Sequence, residues 1–251
     1  MQRVGRLALW VGGGTAVFVA VIAVGVLVMF RDSATPVTRA EATFGLGSLE
    51  SGTGVGDQGL YVYETTGSET ASALGGSTHN YPAETFLSIR SDECGITYRW
   101  QSLEERWDEI TVCDDGSVDR FTSYHEWFGV QDLSVYVCDE AAHFLPIGDE
   151  TSWSFSCVNE GVTTQNWVFE VIGLEVVDVG GEAVDVLHIV ASETVSGETV
   201  GGGVHHHWIL PDRLLVVKES VEIANTTDSR VGDVDYTEQY DLILTSLTPS
   251  E

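Results

Sequence analysis

Polar and apolar residues alternate with a period of two along most of the chain beyond residue 59. The segment 61–65 is Tyr-Val-Tyr-Glu-Thr, and a similar alternation runs through 184–190. Because successive side chains of a β-strand point to opposite faces of a sheet, this period predicts strands. Double glycines at 75–76 and 180–181 supply turns between them. No window here has the spacing of an amphipathic helix, so we expect an all-β, mainly antiparallel domain.

An internal repeat is the second pattern. Three short motifs occur twice in the same order, with aromatic residues and glutamates at matching places. The matched pairs are 61–69 with 167–175, 97–100 with 205–208, and 124–128 with 236–240. We interpret them as a two-fold internal repeat, with repeat 1 at about 58–145 and repeat 2 at about 150–248. Since each half alone has a small core, we expect one continuous, strongly curved sheet or a pair of packed sheets.

The four cysteines predict two disulfides. An antiparallel hairpin whose opposed residue numbers add up to 207 satisfies several favourable pairs at once. This register opposes Cys94 with Cys113, Ile96 with Thr111, Arg99 with Asp108, and Trp100 with Trp107. Cys138 and Cys157 then remain, and a bond between them would join the two halves. The two other connectivities are less favoured. A metal site made of the four cysteines is the rival interpretation, and the lack of any C-x-x-C spacing speaks against it.

The N-terminal region predicts a membrane anchor. Residues 7–30 are free of charge and rich in Val, Ala and Gly. This segment is long enough for one transmembrane helix. A cleaved signal peptide is the alternative, and it would have a shorter apolar region. With 1–6 as a cytoplasmic tail, 31–57 reads as a flexible spacer and 58–248 as the β domain. Cysteines in a β-rich chain favour an oxidising compartment, so we expect a single-pass protein of the cell membrane with an extracytoplasmic domain.

The formal net charge of -28 restricts the partners. A strongly acidic surface repels phosphate backbones, so we expect no binding of nucleic acid. The chain contains too many aromatic rings for a disordered acidic segment. We therefore expect the concave face of the sheet to carry the aromatic side chains and the convex face to carry most of the 39 carboxylates. We expect rings at this spacing to fill the concave face rather than leave an open cavity.

The histidine run at 205–207 is the strongest candidate for a metal site. On a strand, His205 and His207 point to one face and could each give a nitrogen to zinc or copper, with His188 or His79 as third ligand. Against this, the run aligns in the repeat with ordinary hairpin residues at 97–99, so we predict no metal and no cofactor. A third ligand within coordination distance, in a cleft around these histidines, would favour a metal-dependent enzyme instead.

Motifs of catalysis are missing from the sequence. It contains no G-x-S-x-G, no H-E-x-x-H and no phosphate-binding glycine motif. Glu104 and Glu105 lie beside a predicted hairpin turn, where solvent keeps carboxylates ordinary. The run Asp114-Asp115-Gly116-Ser117 lacks the spacing of a calcium loop and predicts a solvated turn. We therefore predict that the protein is not an enzyme.

Two resemblances add to this picture. The stretches 81–85, 103–109 and 232–238 resemble those of uncharacterised, membrane-anchored extracytoplasmic proteins of actinobacteria, a group that implies no function. The run from Trp208 to Lys218 is similar to the curved β sheets of periplasmic lipoprotein carriers. That similarity implies a concave apolar groove for an acyl chain, although the chain lacks the helices that plug the groove in those carriers.

These observations favour a non-catalytic, membrane-anchored envelope protein that binds a partner protein or a ligand at the cell surface. Two alternatives stay open. The first is a carrier of a hydrophobic ligand or lipid in a concave β groove, which an open apolar cavity of several hundred Å3 would favour. The second is a metal-dependent enzyme that uses His205 and His207.

Overall fold

The computed structural model describes residues 32–44, 57–229 and 232–250. Apart from a short helix, α1 (Arg39–Phe44), and one 3-10 turn (Ala73–Gly75), their regular structure is β-strand. The strands are β1 (Gly59–Ala71), β2 (Ser77–Asn80), β3 (Glu84–Ser91), β4 (Gly95–Leu103), β5 (Arg106–Cys113), β6 (Val118–Trp127), β7 (Val130–Cys138), β8 (Ser152–Asn159), β9 (Thr163–Val179), β10 (Glu182–Gly197), β11 (Thr199–Leu210), β12 (Leu215–Thr227) and β13 (Val234–Leu244). All their pairings are antiparallel, which confirms the predicted class.

The strands form one sheet that closes on itself. From β3 to β13 each strand pairs with the next in sequence, and β13 returns to pair with β1. On its other side β1 pairs with β3 and with the short β2. The described residues therefore form a closed barrel of 12 strands, with β2 as an added segment. The expected continuous curved sheet is present, but it closes, and two packed sheets are not formed. Closure leaves no long unpaired edge.

The core lies inside this barrel. On β13, Tyr240, Leu242 and Leu244 are buried while the residues between them are more exposed, as the period of two requires. Rings from strands that do not pair meet across the interior, because the Trp100 ring on β4 lies 4.7 Å from that of Tyr240. The carboxylates are not all on the outer surface, since Glu238 is among several buried ones.

The hairpin of β4 and β5 is present, but its register differs by one residue from the predicted one. Trp100 pairs with Asp108 rather than with Trp107. A register shift close to the turn accommodates one extra residue. A slip of one residue moves a side chain to the other face of the sheet. Trp100 is therefore buried inside the barrel, whereas Trp107 is only partly buried and stacks with Tyr124, with the Arg99 guanidinium over its ring.

Both predicted disulfides, Cys94–Cys113 and Cys138–Cys157, are present. The second joins the predicted seam between the halves of the chain. There β7 and β8 pair only through Val137 with Val158 and through the two cysteines themselves. This bond therefore covalently closes the shortest pairing between consecutive barrel strands.

The sequence repeat does not correspond to a symmetry of the barrel. The matched segments lie on β1 and β9, on β4 and β11, and on β6 and β13, in each case seven strands apart around the ring. A two-fold axis along a ring of 12 strands relates strands six positions apart. Because neighbours are antiparallel, strands an odd number of positions apart run in opposite directions. The predicted division into two equivalent repeats, 58–145 and 150–248, is therefore wrong as a description of the structure.

Part of the predicted spacer lies against the barrel. Residues 32–44, here called the N-terminal arm, make a β-bridge from Pro36 to Leu103. Two buried residues of the arm, Val37 and Ala42, form a small apolar cluster with side chains of β1 and β3. The prediction of a free spacer is wrong for the arm, because its apolar side chains cover the outer face of the sheet.

Helix α1 has a start signal that the sequence analysis did not use. The Thr38 backbone N–H donates to the Glu41 carboxylate at 2.8 Å, and the Glu41 N–H donates to the Thr38 hydroxyl at 3.4 Å. This reciprocal pair is a capping box, whose sequence form is S/T-x-x-E. No helix among the described residues is long and apolar enough to span a membrane, and the predicted anchor at 7–30 lies outside those residues.

Candidate functional site

The barrel encloses a cavity of about 190 Å3. Its wall is mainly aromatic and aliphatic, and residues from both halves of the chain contribute to it. Representative wall residues are Tyr63, Trp100, Ile110, Phe155, Phe169 and Leu242. The predicted filled interior is therefore only partly correct, because the rings leave a space, although one smaller than several hundred Å3.

Stacked rings make one side of the cavity wall rigid. The Phe169 ring on β9 stacks with Trp153 at 5.0 Å and with Phe155 at 5.2 Å, both on the adjacent strand β8. The Trp167 ring meets the His205 imidazole edge to face at 5.0 Å. Such contacts hold the rings against one another and shape this side of the cavity.

Two histidines of the run face this cavity. His205 and His207 lie two residues apart on β11 and both belong to its wall, whereas His206 does not. Their rings are roughly parallel, 5.9 Å apart. This placement follows from strand alternation, as the sequence predicted.

Glu219 joins the two histidines from the next strand. It pairs directly with His207 across β11 and β12, and its carboxylate lies 3.2 Å from His207 Nδ1. One donor atom from each of His205, His207 and Glu219 lies within 4.8 Å of the others. A second carboxylate, that of the buried Glu193, lies 4.0 Å from His205 Nε2.

The ring nitrogens at this site are incompletely satisfied. His205 Nε2 and His207 Nδ1 are buried and make no well-formed hydrogen bond within the described residues, although each has a carboxylate within 4.0 Å. A buried polar atom without a partner costs about 1–3 kcal/mol of stability. Two such nitrogens beside a carboxylate at one cavity wall make this the strongest candidate for a ligand site among the described residues.

The two histidines predicted as possible third ligands lie elsewhere. His188 has its nitrogens paired with Glu175 at 2.8 Å and with His206 at 3.1 Å. Its ring stacks on Trp208 at 4.3 Å. His79 belongs to a different cluster, described below. Neither of these possible third ligands is placed beside His205 and His207, because both use their nitrogens in other contacts.

His206 therefore belongs to a separate aromatic group with His188 and Trp208. The pKa of His206 is lowered, first because burial disfavours the charged ring and then because of the neighbouring His188 and His207. The Lys218 ammonium lies over the Trp208 ring at 4.2 Å, a cation–π contact. This group can serve as a comparison for the cavity histidines, since it lies on the same strand but outside the cavity.

A second polar cluster, not predicted from the sequence, lies inside the barrel. The Arg106 guanidinium donates to both oxygens of Glu238, at 3.2 and 3.1 Å, and also contacts Asp108. Glu69, with its carboxylate 3.7 Å from Arg106, accepts hydrogen bonds from Tyr236 and from His125. We call Glu69, His79, Arg106, Asp108, His125 and Glu238 the charged cluster; it joins strands β1, β2, β5, β6 and β13.

Protonation of His79 follows from its contacts. Its ring nitrogens lie 2.9 Å from Glu69 and 2.8 Å from Asp32 of the N-terminal arm. Because carboxylates only accept, both nitrogens must carry hydrogen, which makes the ring an imidazolium. Burial would lower the pKa of His79, but the bonds and charges of Glu69 and Asp32 raise it. Burial likewise opposes ionisation of Glu69, yet His125, His79 and Arg106 lower its pKa to about 2.

Glu219 and the charged cluster had a signal in the sequence. Glu219 lies in phase with Val217 and Val221, both fully buried, and Glu238 lies in phase with the buried Tyr240. A charged residue at a core-facing place of a strand indicates a buried polar site. The pairing of strands was still needed to show which groups meet.

The sequence matches no protein-family model and no curated protein sequence. One solved structure to which the fold is similar is the hypothetical lipoprotein YmcC from Escherichia coli K12. The TM-score is 0.33 and the identity 11%, with 82% of this chain and 97% of that chain covered. A likeness at this level carries no inference about function. The resemblance to actinobacterial envelope proteins has no support among these matches.

Proposed function

We propose that this protein is a non-catalytic carrier of a small apolar ligand outside the cytoplasm. The observation that carries the proposal is the mainly apolar cavity of about 190 Å3 in the interior of the barrel. A wall of fixed aromatic rings with a few polar groups is typical of small-molecule sites. A wall of this kind favours the carrier alternative over the binding of a partner protein at the outer surface.

The size of the cavity limits the ligand. An engineered apolar cavity of about 150 Å3 stays dry and binds benzene. A space of about 190 Å3 therefore accommodates one or two fused rings or a short acyl segment, and excludes a complete long-chain lipid. The ligand class that fits best is a small aromatic or branched aliphatic molecule whose polar end reaches Glu219 and the two histidines.

The proposed location depends on the disulfides. Bonds of this kind persist in oxidising compartments and are rare in the cytosol. Together with the apolar segment 7–30, they support a barrel held at the outer side of the cell membrane. The net charge of -28 would keep the barrel away from nucleic acid and anionic head groups, and favours approach of neutral ligands.

Calorimetric titration with indole tests the proposal. We expect binding with a stoichiometry of one, and we expect it to be lost in V118F, because Val118 lines the cavity and a larger side chain fills it. The matched control is V168F on β9, where the side chain is 52% exposed and outside the cavity. Thermal unfolding of both variants serves as the control, because a cooperative transition is expected only if each variant is folded.

Two results would contradict carriage. One is the failure of the unmodified chain to bind indole, naphthalene or a short branched fatty acid. The other is equal loss of binding in V118F and V168F, which would place the ligand outside the barrel. Native mass spectrometry of protein purified from its own envelope would identify the natural ligand.

Metal-dependent catalysis is a second candidate function, and one observation favours it. Glu219 supplies the third donor that a metal-dependent enzyme would need beside His205 and His207. The two functions differ in the fate of the ligand, because a carrier releases it unchanged. Mass spectrometry of the ligand after incubation with the zinc-loaded protein separates them, since a changed mass would mean catalysis.

A further inference from the structure

His205 and His207 differ from the other histidines of this chain in their hydrogen bonding. Each of the other histidines has at least one ring nitrogen in a hydrogen bond to a carboxylate, a hydroxyl, a carbonyl or another ring. His205 Nε2 and His207 Nδ1 are buried and face carboxylates at 4.0 and 3.2 Å, but neither makes a well-formed hydrogen bond among the described residues. Both side chains are close to nine-tenths buried, with 11% and 10% exposed. Their nitrogens are therefore not committed to a hydrogen bond and can serve as donors to a cation.

The backbone holds these nitrogens in a fixed relation to Glu219. The histidines are two residues apart on β11, and Glu219 is the direct partner of His207 on β12. Directly opposed residues of an antiparallel pair have their Cβ atoms about 4.5–5.5 Å apart. The three donor atoms lie within 4.8 Å of one another. An ion at about 2.0–2.2 Å from each would need the most distant donors to move closer by roughly 1 Å, which side-chain rotation can supply.

We propose that His205, His207 and Glu219 bind one divalent transition-metal ion at the wall of the cavity. The inference goes beyond ligand carriage, because it assigns a metal ion to residues that carriage uses only for contact with the polar end of the ligand. Two imidazoles and a carboxylate suit zinc and its neighbours in the first transition row. Calcium and magnesium prefer oxygen ligands throughout, and the site offers them too few.

The surroundings support binding of a cation. Glu193 is buried and its carboxylate lies 4.0 Å from His205 Nε2, so it adds a second negative charge beside the three donors. Two carboxylates balance the charge of a divalent ion, which reduces the cost of burying it. Three protein ligands leave a further coordination position, and the donors face the cavity. That position is therefore open to a ligand held in the cavity.

Titration of the untagged full-length chain with zinc chloride and with cobalt chloride tests the site. A histidine tag would compete for the ion, whereas the cysteines are all in disulfides and need only a non-reducing buffer. We expect one zinc ion per chain by calorimetry. For cobalt we expect visible absorption bands of a low-coordinate nitrogen and oxygen site, which adventitious surface binding does not give.

The variants H207A and E219Q should weaken zinc binding by more than about 100-fold, since each removes a direct ligand. The matched controls are H206A and H188A. His206 lies between the two proposed ligands in sequence but outside the cavity, and His188 was the alternative ligand suggested by the sequence. Both controls should bind zinc as the unmodified chain does and give the same cobalt spectrum.

The proposal is overturned if the unmodified chain binds no zinc, or if H206A loses as much affinity as H207A. Circular dichroism and thermal unfolding without metal show whether H207A and E219Q are folded. If either is unfolded, H205Q supplies the test with a side chain of similar size. Because zinc binding is measured without an apolar ligand and indole binding without a metal, failure of one proposal is distinguishable from failure of the other.

Discussion

Arg106 on β5 and Glu238 on β13 form a bidentate ion pair inside the barrel, with contacts of 3.2 and 3.1 Å. The exposed fractions of the two side chains are 3% and 1%. The strands that carry them do not pair with each other, so this contact connects two separate parts of the ring. It explains how a charged group is kept in the interior, because each charge is balanced and hydrogen-bonded.

Removing one member of this pair should destabilise the protein strongly. For R106M we expect a loss of about 3–5 kcal/mol in the free energy of unfolding, because Glu238 would remain buried without its cation. Urea unfolding measures this. The control is R120M, since Arg120 is 43% exposed and only 3.9 Å from Asp119, and it should change stability by less than about 1 kcal/mol. Equal effects of the two variants would show that the interior pair has no special weight.

Acid should weaken the barrel through Glu69. Its pKa in the folded protein is about 2, below the ordinary value of 4.5. A depressed carboxyl pKa stabilises the fold above pH 4.5, and this contribution is lost as the pH falls toward 2, with a total of about 3 kcal/mol. Other carboxyl groups of the protein titrate in the same pH range. The measurement therefore compares denaturant unfolding of the unmodified chain with that of E69Q from pH 5 to pH 2. The difference between them should shrink as the pH falls, and a constant difference would contradict the assignment.

The effect of His79 has the opposite sign. Its pKa is raised by Glu69 and Asp32. A raised histidine pKa stabilises the fold below the ordinary value of 6.5, and this stability is lost as the pH rises through the folded pKa. We therefore expect the unmodified chain to lose stability as the pH rises above 6.5, and H79Q to lose this dependence. H143Q is the control, because its imidazole lies in an exposed contact with Glu150. An unchanged pH profile in H79Q would contradict the imidazolium assignment.

Loss of the Cys138–Cys157 disulfide should loosen the strand pairing around it more than loss of Cys94–Cys113 does. Each bond has a sequence separation of 19, so the chain-entropy model gives about 3 kcal/mol for either. Without the Cys138–Cys157 bond, the backbone pairing between β7 and β8 consists of Val137 with Val158 and the two former cysteine positions. Hydrogen exchange at Val137 and Val158 should therefore rise in C138S/C157S and not in C94S/C113S. Similar exchange in both variants would show that the seam does not depend on its disulfide.

The turn between β9 and β10 offers a neighbouring pair of glycines for comparison. A Cβ on Gly180 would lie 2.3 Å from the carbonyl oxygen of Thr245, whereas one on Gly181 would meet no atom within 4 Å. Both have positive φ, of 61° and 90°, so alanine is strained at either position. G180A should therefore lower the free energy of unfolding by at least about 1 kcal/mol more than G181A. Thermal unfolding of the two variants measures the difference, and equal stability would contradict a close approach of this turn to Thr245.

The sequence by itself determined the local structure. Alternation predicts the strands, and double glycines predict the turns at 75–76 and 180–181, because these signals act over neighbouring residues. Both disulfides were also predictable, since cysteines flanking one hairpin or one seam are close for local reasons. Strand alternation likewise placed His205 and His207 on one face. The capping box of Thr38 and Glu41 was available too, although the sequence analysis treated that segment as a spacer.

Only the tertiary structure decided closure, register and convergence. Pairing of β1 with β13 joins residues 165 to 181 positions apart (Ala71 with Tyr236, Tyr63 with Leu244), and no local signal specifies such a contact. The register of β4 on β5 depends on one bulge, which moved Trp107 out of the interior. Glu219 and the charged cluster are brought together by strand pairing and by packing across the barrel. The physical reason is that these groups meet through long-range geometry, whereas the sequence pattern shows only which face of a strand each one occupies.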